Sequence, residues 1–117
     1  MTISDYPAAT SFLGKTVTVE IDRPCDSRHP THGFRYPINY GYVPGVPAPD
    51  GDDLDAYVLF ITEPLTTFTG ICVAVIRRLN DNDDKLVLVP AGQTATDAQI
   101  RAQTWFQEQF FESVILR

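Results

Sequence analysis

The chain of 117 residues is poor in cysteine, in basic residues and in long apolar runs, and each shortage removes a class of protein. Cys25 and Cys72 are far apart and no second pair exists, so neither a disulfide framework nor a cysteine zinc site is indicated. No apolar stretch approaches the roughly 20 residues of a transmembrane helix. The first nine residues also lack the charged start and apolar run of a secretion signal, so a cytoplasmic location with no membrane partner is expected. Lys and Arg number 9 against 15 Asp and Glu, a net charge of −6 that speaks against a general electrostatic grip on nucleic acid. No Gly-rich phosphate loop, G-x-S-x-G elbow or HExxH motif is present. Internal repeats and low-complexity tracts are missing too, and the nine prolines are scattered through connections. What is present is ordinary globular composition, 44% hydrophobic and 21% charged, in a length that suits one core, so residues 1–117 are expected to form a single domain.

The acidity is local. Asp50, Asp52, Asp53 and Asp55 fall within six residues, and Asp81, Asp83 and Asp84 within four; without those seven the chain is close to neutral. Four carboxylates so close repel one another unless a cation lies among them. Hard oxygen donors without cysteine favour Mg²⁺, Mn²⁺ or Ca²⁺ over zinc, and Gly51 allows the turn that would converge them. The plain alternative is a solvated acidic turn ahead of a strand. In the second cluster Asp and Asn suit a turn for purely local reasons. Asp83 and Lys85, however, stand at i, i+2 and would share one strand face, pairing a candidate metal ligand with a candidate phosphate contact. Arg23, Arg28, His29, His32 and Arg35 gather in one loop. They read either as exposed loop charge or, opposite a metal-bearing acidic cluster, as the cationic side of a phosphate or diphosphate site.

Period-2 alternation of Val17, Val19 and Ile21 with Thr16, Thr18 and Glu20 predicts a strand over 15–22. Residues 23–33 read as a loop. The aromatic stretch 36–43, interrupted by Pro37 and Gly41, suits an edge or irregular strand. The apolar runs 55–61, 70–76 and 85–89 predict three further strands, with a turn across 80–84 between the last two. Thr96 and Gln99 form a capping box, and Ala98, Ala102, Phe106 and Phe110 recur at i, i+4, so a helix with that face turned inward is expected. Short strands followed by one helix imply an α+β, β-dominant fold: a small, strongly coiled sheet or barrel with a C-terminal helix packed on it.

The string Tyr36-Pro37-Ile38-Asn39-Tyr40-Gly41-Tyr42-Val43-Pro44, followed by Asp50-Gly51-Asp52-Asp53-Leu54-Asp55, resembles the signature of family I soluble inorganic pyrophosphatases, Y-P-x-N-Y-G-Y and then D-G-D-P-x-D. Asp83-Asp84-Lys85-Leu86-Val87-Leu88-Val89-Pro90 is similar to that family's later D-x-K-L-V-x-V-P element, so three segments match in order. The resemblance implies an OB-like five-stranded barrel and Mg²⁺-dependent hydrolysis of pyrophosphate to two orthophosphates, with Mn²⁺ a candidate substitute. It implies Asp50, Asp52, Asp55 and Asp83 as metal ligands, Asp52 as base toward the attacking water, Lys85 as a phosphate contact and Tyr40 as a hydrogen-bonding group beside the cluster. Glu20, in its Val-Glu-Ile context, is similar to the glutamate that positions water. Bacterial relatives in the family assemble, which makes a homo-oligomer a candidate state.

The chain also departs from the pattern. Asp53 stands where the motif has proline, and Ser27-Arg28-His29-Pro30 stands near a family K-Y-E segment. Asn80 or Asp81 is all that offers itself for a further aspartate ahead of Asp83. The segment Trp105 to Phe111 is similar to the family's F-F-E helix, without the Tyr-Lys pair that follows it there. The expectation is therefore that the basic loop, through Arg23, Arg28 and His29, takes over phosphate contacts. A second reading is a non-catalytic or altered-specificity relative that binds metal with phosphate, nucleotide or a partner protein. A third, an oligonucleotide-binding module stacking bases on Tyr36, Tyr40 and Tyr42, conflicts with the acid balance.

Overall fold

A computed structural model describes residues 8–48, 51–80 and 83–117. After a short 3₁₀ turn, Ala9–Phe12, the elements run β1 (Thr16–Arg23), β2 (Asn39–Pro47), β3 (Asp53–Val58), β4 (Thr67–Arg78), β5 (Asp83–Val89), α1 (Asp97–Glu108) and β6 (Ser113–Leu116). The strands lie in the order β1-β2-β3-β5-β4, and β4 pairs back with β1, closing a five-stranded barrel. All these pairs are antiparallel except β3 with β5. Thr67 to Ile71 of β4 pairs with β1, while Val75 to Arg78 on the same edge pairs with β6, so the last strand covers the edge that β1 leaves.

Side-chain alternation sorts the core into two sets. Val17 and Val19 of β1, Leu54, Ala56 and Val58 of β3, and Leu86 and Leu88 of β5 are buried together inside the barrel. The intervening residues Tyr57 and Leu59, Val87 and Val89 face outward and are buried under α1 with Tyr36, Tyr40 and Ile100. Every residue of β5 is thus buried, as expected of a strand covered on both faces. A register shift between Cys72 and Ala74 lets β4 place Cys72 and Val75 inside and Ala74 and Ile76 outside. Each fully buried large apolar side chain contributes about 1.5–3 kcal/mol.

Three sequence expectations change. The stretch around Tyr40 is irregular, with register shifts on both sides, but β2 is paired with β1 and β3 and is not an edge. Asp83 and Asp84 belong to β5 and not to a turn, because Arg78 and Arg77 lie across the hairpin and neutralise them. The helix forms behind its capping box, yet Ala98, Ala102 and Phe110 are exposed and Phe106 is half-buried; Ile100, Thr104 and Glu108 are the buried residues. Polar groups can occupy that face because each is satisfied: Thr104 donates to the Ile100 carbonyl at 2.8 Å, and Glu108 meets Arg78.

Both thiols are buried, and burial pushes Cys72 up to about 11 and raises Cys25 as well. A raised pKa leaves little thiolate at pH 8, and burial denies access to it. The native protein is expected to show no reaction with an aromatic disulfide reagent at pH 8, and two thiols per chain after unfolding; a fast-reacting thiol in the native state would mean the core opens.

Candidate active site

The register that builds the barrel also assembles its polar face. Asp55 stands beside Lys85 in the parallel pair, Tyr42 beside Asp55, Tyr40 beside Tyr57, and Arg78 opposite Asp83. Alternation puts Asp83, Lys85, Tyr57 and Tyr40 on the outward face, at the edge of the ground covered by α1. Lys85, only 4% exposed, donates from Nζ to Asp55 Oδ2 at 2.6 Å and lies 2.8 Å from Asp83 Oδ2. Its ammonium sits 5.7 Å from the Tyr40 ring centroid. Burial works against the ammonium, but the two carboxylates outweigh it and raise its pKa, so Lys85 is a fixed positive charge.

A second buried cation stands behind the first. Arg78, 6% exposed, donates from Nε and Nη2 to the two carboxylate oxygens of Glu108 at 3.1 and 2.7 Å, and its Nη1 lies 3.6 Å from Asp83. The Phe111 ring covers the guanidinium at 3.6 Å. Tyr57 donates to Glu108 Oε2 at 2.6 Å and accepts from Gln107 Nε2 at 2.8 Å, while Gln107 Oε1 accepts from Tyr36. Burial and then the Asp55 charge hold the Tyr40 phenol well above its ordinary pKa, so it stays a neutral donor.

Two recesses flank the Asp55–Lys85 pair. One, of about 460 Å³, is lined by Asp22, Tyr42, Gly51, Asp52, Asp53 and Asp55. Gly51, at φ +95°, makes the turn that places Asp52 and Asp53 there. The other, of about 710 Å³, has Lys85, Arg78, Tyr40 and Gln107 among its walls, together with His29, His32, Phe34, Phe110 and Phe111.

The structure therefore brings Asp55, Asp83 and Tyr40 around Lys85 and places Asp52 with Asp55 in the smaller recess, while Asp83 lines neither recess. Asp50 lies outside the described residues. Glu20 is exposed on β1, directly beside Tyr42, and lines neither recess. Arg23 donates to the Asp22 carbonyl and Arg28 to the Gly33 carbonyl, both at 3.1 Å, and neither lines a recess. His29 does line the larger one. Asp22, Arg78 and Glu108 went unnoticed in the sequence. Asp22 was legible, since it follows Glu20 by two residues on one strand face, and Arg78 could have been found by pairing residues outward from the 79–82 turn.

A closed small barrel with a buried lysine between carboxylates, beside an acid-lined recess, defines a protein whose site is made of hard oxygen donors and fixed cations. The family can be stated more closely: the model of the inorganic pyrophosphatase family matches residues 14–114, and the chain belongs to that family. Curated relatives include the inorganic pyrophosphatase of a Nostoc species, 42% identical over 64 residues, 48% of this chain and 36% of that one. That of Haemophilus influenzae is 41% identical over 69 residues, 54% of this chain and 38% of that one. The matched stretch thus spans little more than a third of either relative. Among solved structures, inorganic pyrophosphatases of Ehrlichia chaffeensis and Coxiella burnetii superpose with TM-scores of 0.67 and 0.61 at 18% and 21% identity, covering 97% of this chain in each case and 89% and 88% of theirs. The fold is theirs.

The family generally implies a divalent metal, and the donors present fit one. Asp22, Asp52, Asp53 and Asp55 offer oxygen alone around one open recess. Burial raises the Asp22 carboxyl, Arg23 pulls it back, and the nearby Asp55 charge adds to the rise, a crowding that a cation would relieve. As they are placed, no three His, Cys, Asp or Glu side chains among the described residues stand together closely enough to hold a metal ion, so it is the chemistry of the donors that fits and not a preformed cage. Among the described residues, too, no helix is long and apolar enough to cross a membrane.

Proposed function

We propose that the protein hydrolyses inorganic pyrophosphate to two orthophosphates at the acidic recess, with Mg²⁺ as cofactor and Mn²⁺ as substitute. The observation that carries this reading is Lys85 held between Asp83 and Asp55, the latter lining the recess that contains Asp52, in a chain of the pyrophosphatase family. Asp50, Asp52, Asp55 and Asp83 are the metal ligands of this reading, and Asp22 joins them as a carboxylate lining the recess. When bound, the metal neutralises phosphate oxygens and acidifies the attacking water. Asp52 takes the proton of that water. Lys85 holds a phosphate oxygen, its charge guaranteed by the carboxylates beside it. Tyr40, a neutral phenol, donates a hydrogen bond next to the cluster. Glu20 as a water-positioning group and His29, Arg28 and Arg23 as substrate contacts belong to this reading too; of these only His29 lines a recess, and the arginines would have to leave the backbone carbonyls to which they donate. Pyrophosphate alone would be repelled by these carboxylates, so the same site requires the cation for binding as well as for chemistry. A cytoplasmic location and a homo-oligomeric state belong to the same reading.

Orthophosphate release from pyrophosphate should require Mg²⁺, vanish with a chelator and return on adding Mg²⁺. Asp52→Asn should lower it about a hundredfold or more at unchanged fold, the usual contribution of a positioned base. Folded protein that binds Mg²⁺ without turnover would overturn hydrolysis in favour of a relative that only binds.

A further inference from the structure

The larger recess is built for something that pyrophosphate does not have. At about 710 Å³ it matches cavities that enclose drug-sized ligands, whereas pyrophosphate has roughly nine non-hydrogen atoms. Its floor carries Lys85 and Arg78, but its walls are rings: Phe34, Phe110, Phe111, Tyr40, His29 and His32. The charges on the floor are shared with carboxylates, Lys85 with Asp55 and Asp83 and Arg78 with Glu108, so the floor offers a phosphate contact at Lys85 while most of the cavity wall is left to something apolar.

Three of its rings form one stacked wall. His29 and Phe34 lie 4.9 Å apart by centroid, His29 and His32 4.7 Å, and His32 and Phe34 6.3 Å, while Phe110 and Phe111 stand on the cavity as separate rings. The Nδ1 atom of His29 accepts the backbone N–H of Thr31 at 3.1 Å and of His32 at 3.0 Å, so the ring is neutral with its proton on Nε2. Phe110 is 65% exposed and lines this same cavity, an aromatic wall with one face open to the solvent. Gln107, the amide in the wall, is held in place by donating one N–H to Tyr57 and accepting from Tyr36.

We propose that this cavity takes the base and sugar of a nucleoside 5′-diphosphate whose phosphates lie toward Lys85 and the acidic recess, making such nucleotides a second substrate class. The inference rests on the pyrophosphate reading of the acidic recess. Stacking on rings is tolerant of base identity, so the preference is for larger rings over smaller ones. The step is the same anhydride hydrolysis. Water adds to the terminal phosphorus, the bond from that phosphorus to the bridging oxygen breaks, and the products are orthophosphate, the nucleoside monophosphate and one released proton. No oxidant or further reactant is needed.

The test is calorimetric titration of the full chain in Mg²⁺ with two non-hydrolysable probes, α,β-methylene adenosine diphosphate and the ring-free methylenediphosphonate, next to turnover of adenosine diphosphate and pyrophosphate. The nucleotide analogue should bind at least tenfold more tightly than the ring-free probe, as expected when a base stacks on aromatic walls. Phe110→Ala, at an exposed position, should reduce that advantage severalfold, while Trp105→Ala, which lines neither recess, should leave it unchanged. Equal affinity of the two probes together with pyrophosphate turnover would overturn the nucleotide inference and leave the proposed function standing. An isoprenoid diphosphate binding more tightly than the nucleotide would also overturn it, by showing that the cavity selects an aliphatic chain. Failure of both probes to bind and of both substrates to turn over would remove the pyrophosphate reading and the inference with it.

Discussion

Glu108→Ala should lower the unfolding free energy by about 3–5 kcal/mol, measured by urea denaturation monitored at far-UV wavelengths. Glu108 is 1% exposed and does three things at once. It accepts both forks of the Arg78 guanidinium and the Tyr57 hydroxyl. Truncation removes the two shortest hydrogen bonds of a buried guanidinium, leaving Asp83 at 3.6 Å, and strands the Tyr57 proton, since Gln107 donates to Tyr57 and does not accept from it. The penalty is the desolvation of groups left without partners, not the net worth of the ion pair. Glu108→Gln separates the two components: it keeps an acceptor oxygen for one donor but removes the charge, and should fall between Ala and the parent. A parent-like Ala variant would mean that water reaches Arg78. Because Arg78 is in the floor of the ring-lined cavity, a stable Ala variant would also show a changed response to the nucleotide probe.

The same glutamate shows where sequence reading ends. In β1 the pattern of side chains states which face is inside, because alternation is a local rule and its inward residues are aliphatic; the apolar runs of β3 and β5 announce strands, but β5 is buried on both faces and its sequence does not say which is which. The helix obeys its local rule too, at the capping box. The choice of its buried face is not local: Thr104 and Glu108 look like solvent-facing residues until Arg78, on a strand 30 residues away, is brought beneath them. Phe110, which the spacing assigns to the interior, falls beyond the end of α1. The four-residue β6 is too short to announce itself and exists because β1 leaves an edge of β4 uncovered. At the site, Asp52, Asp55 and Lys85 were legible as charges in unusual company. The aromatic cavity was not, since its rings come from the 29–34 loop, from Tyr40 and from the segment after the helix, and only the closed barrel places them around one space.

Gly41→Ala should be the most damaging single methyl that can be added near the site. Gly41 is buried in β2, opposite Ile21 of β1 and Ala56 of β3. A β-carbon there would lie on the carbonyl carbon and oxygen of Glu20, which are backbone atoms and cannot rotate aside. Relief requires β1 and β2 to part. Overpacking costs about 1–3 kcal/mol, and each ladder hydrogen bond lost about 0.5–1.5 kcal/mol more. A total of about 4 kcal/mol should lower Tm by on the order of 15 °C in circular dichroism melting. The damage should also be directional. β1 carries Glu20 and Asp22, whereas β2 and β3 carry Tyr40, Tyr42 and Asp55, so separating β1 from β2 pulls the acidic recess open on one side. Mg²⁺ affinity should therefore fall in whatever folded Gly41→Ala protein is recovered. A variant with parent-like Tm and Mg²⁺ affinity would contradict the close approach of β1 to β2. The glycine between the two tyrosines of the Asn39-Tyr40-Gly41-Tyr42 string thus has a steric reason: only hydrogen fits where the strand carrying the acids crosses the strand carrying the phenols.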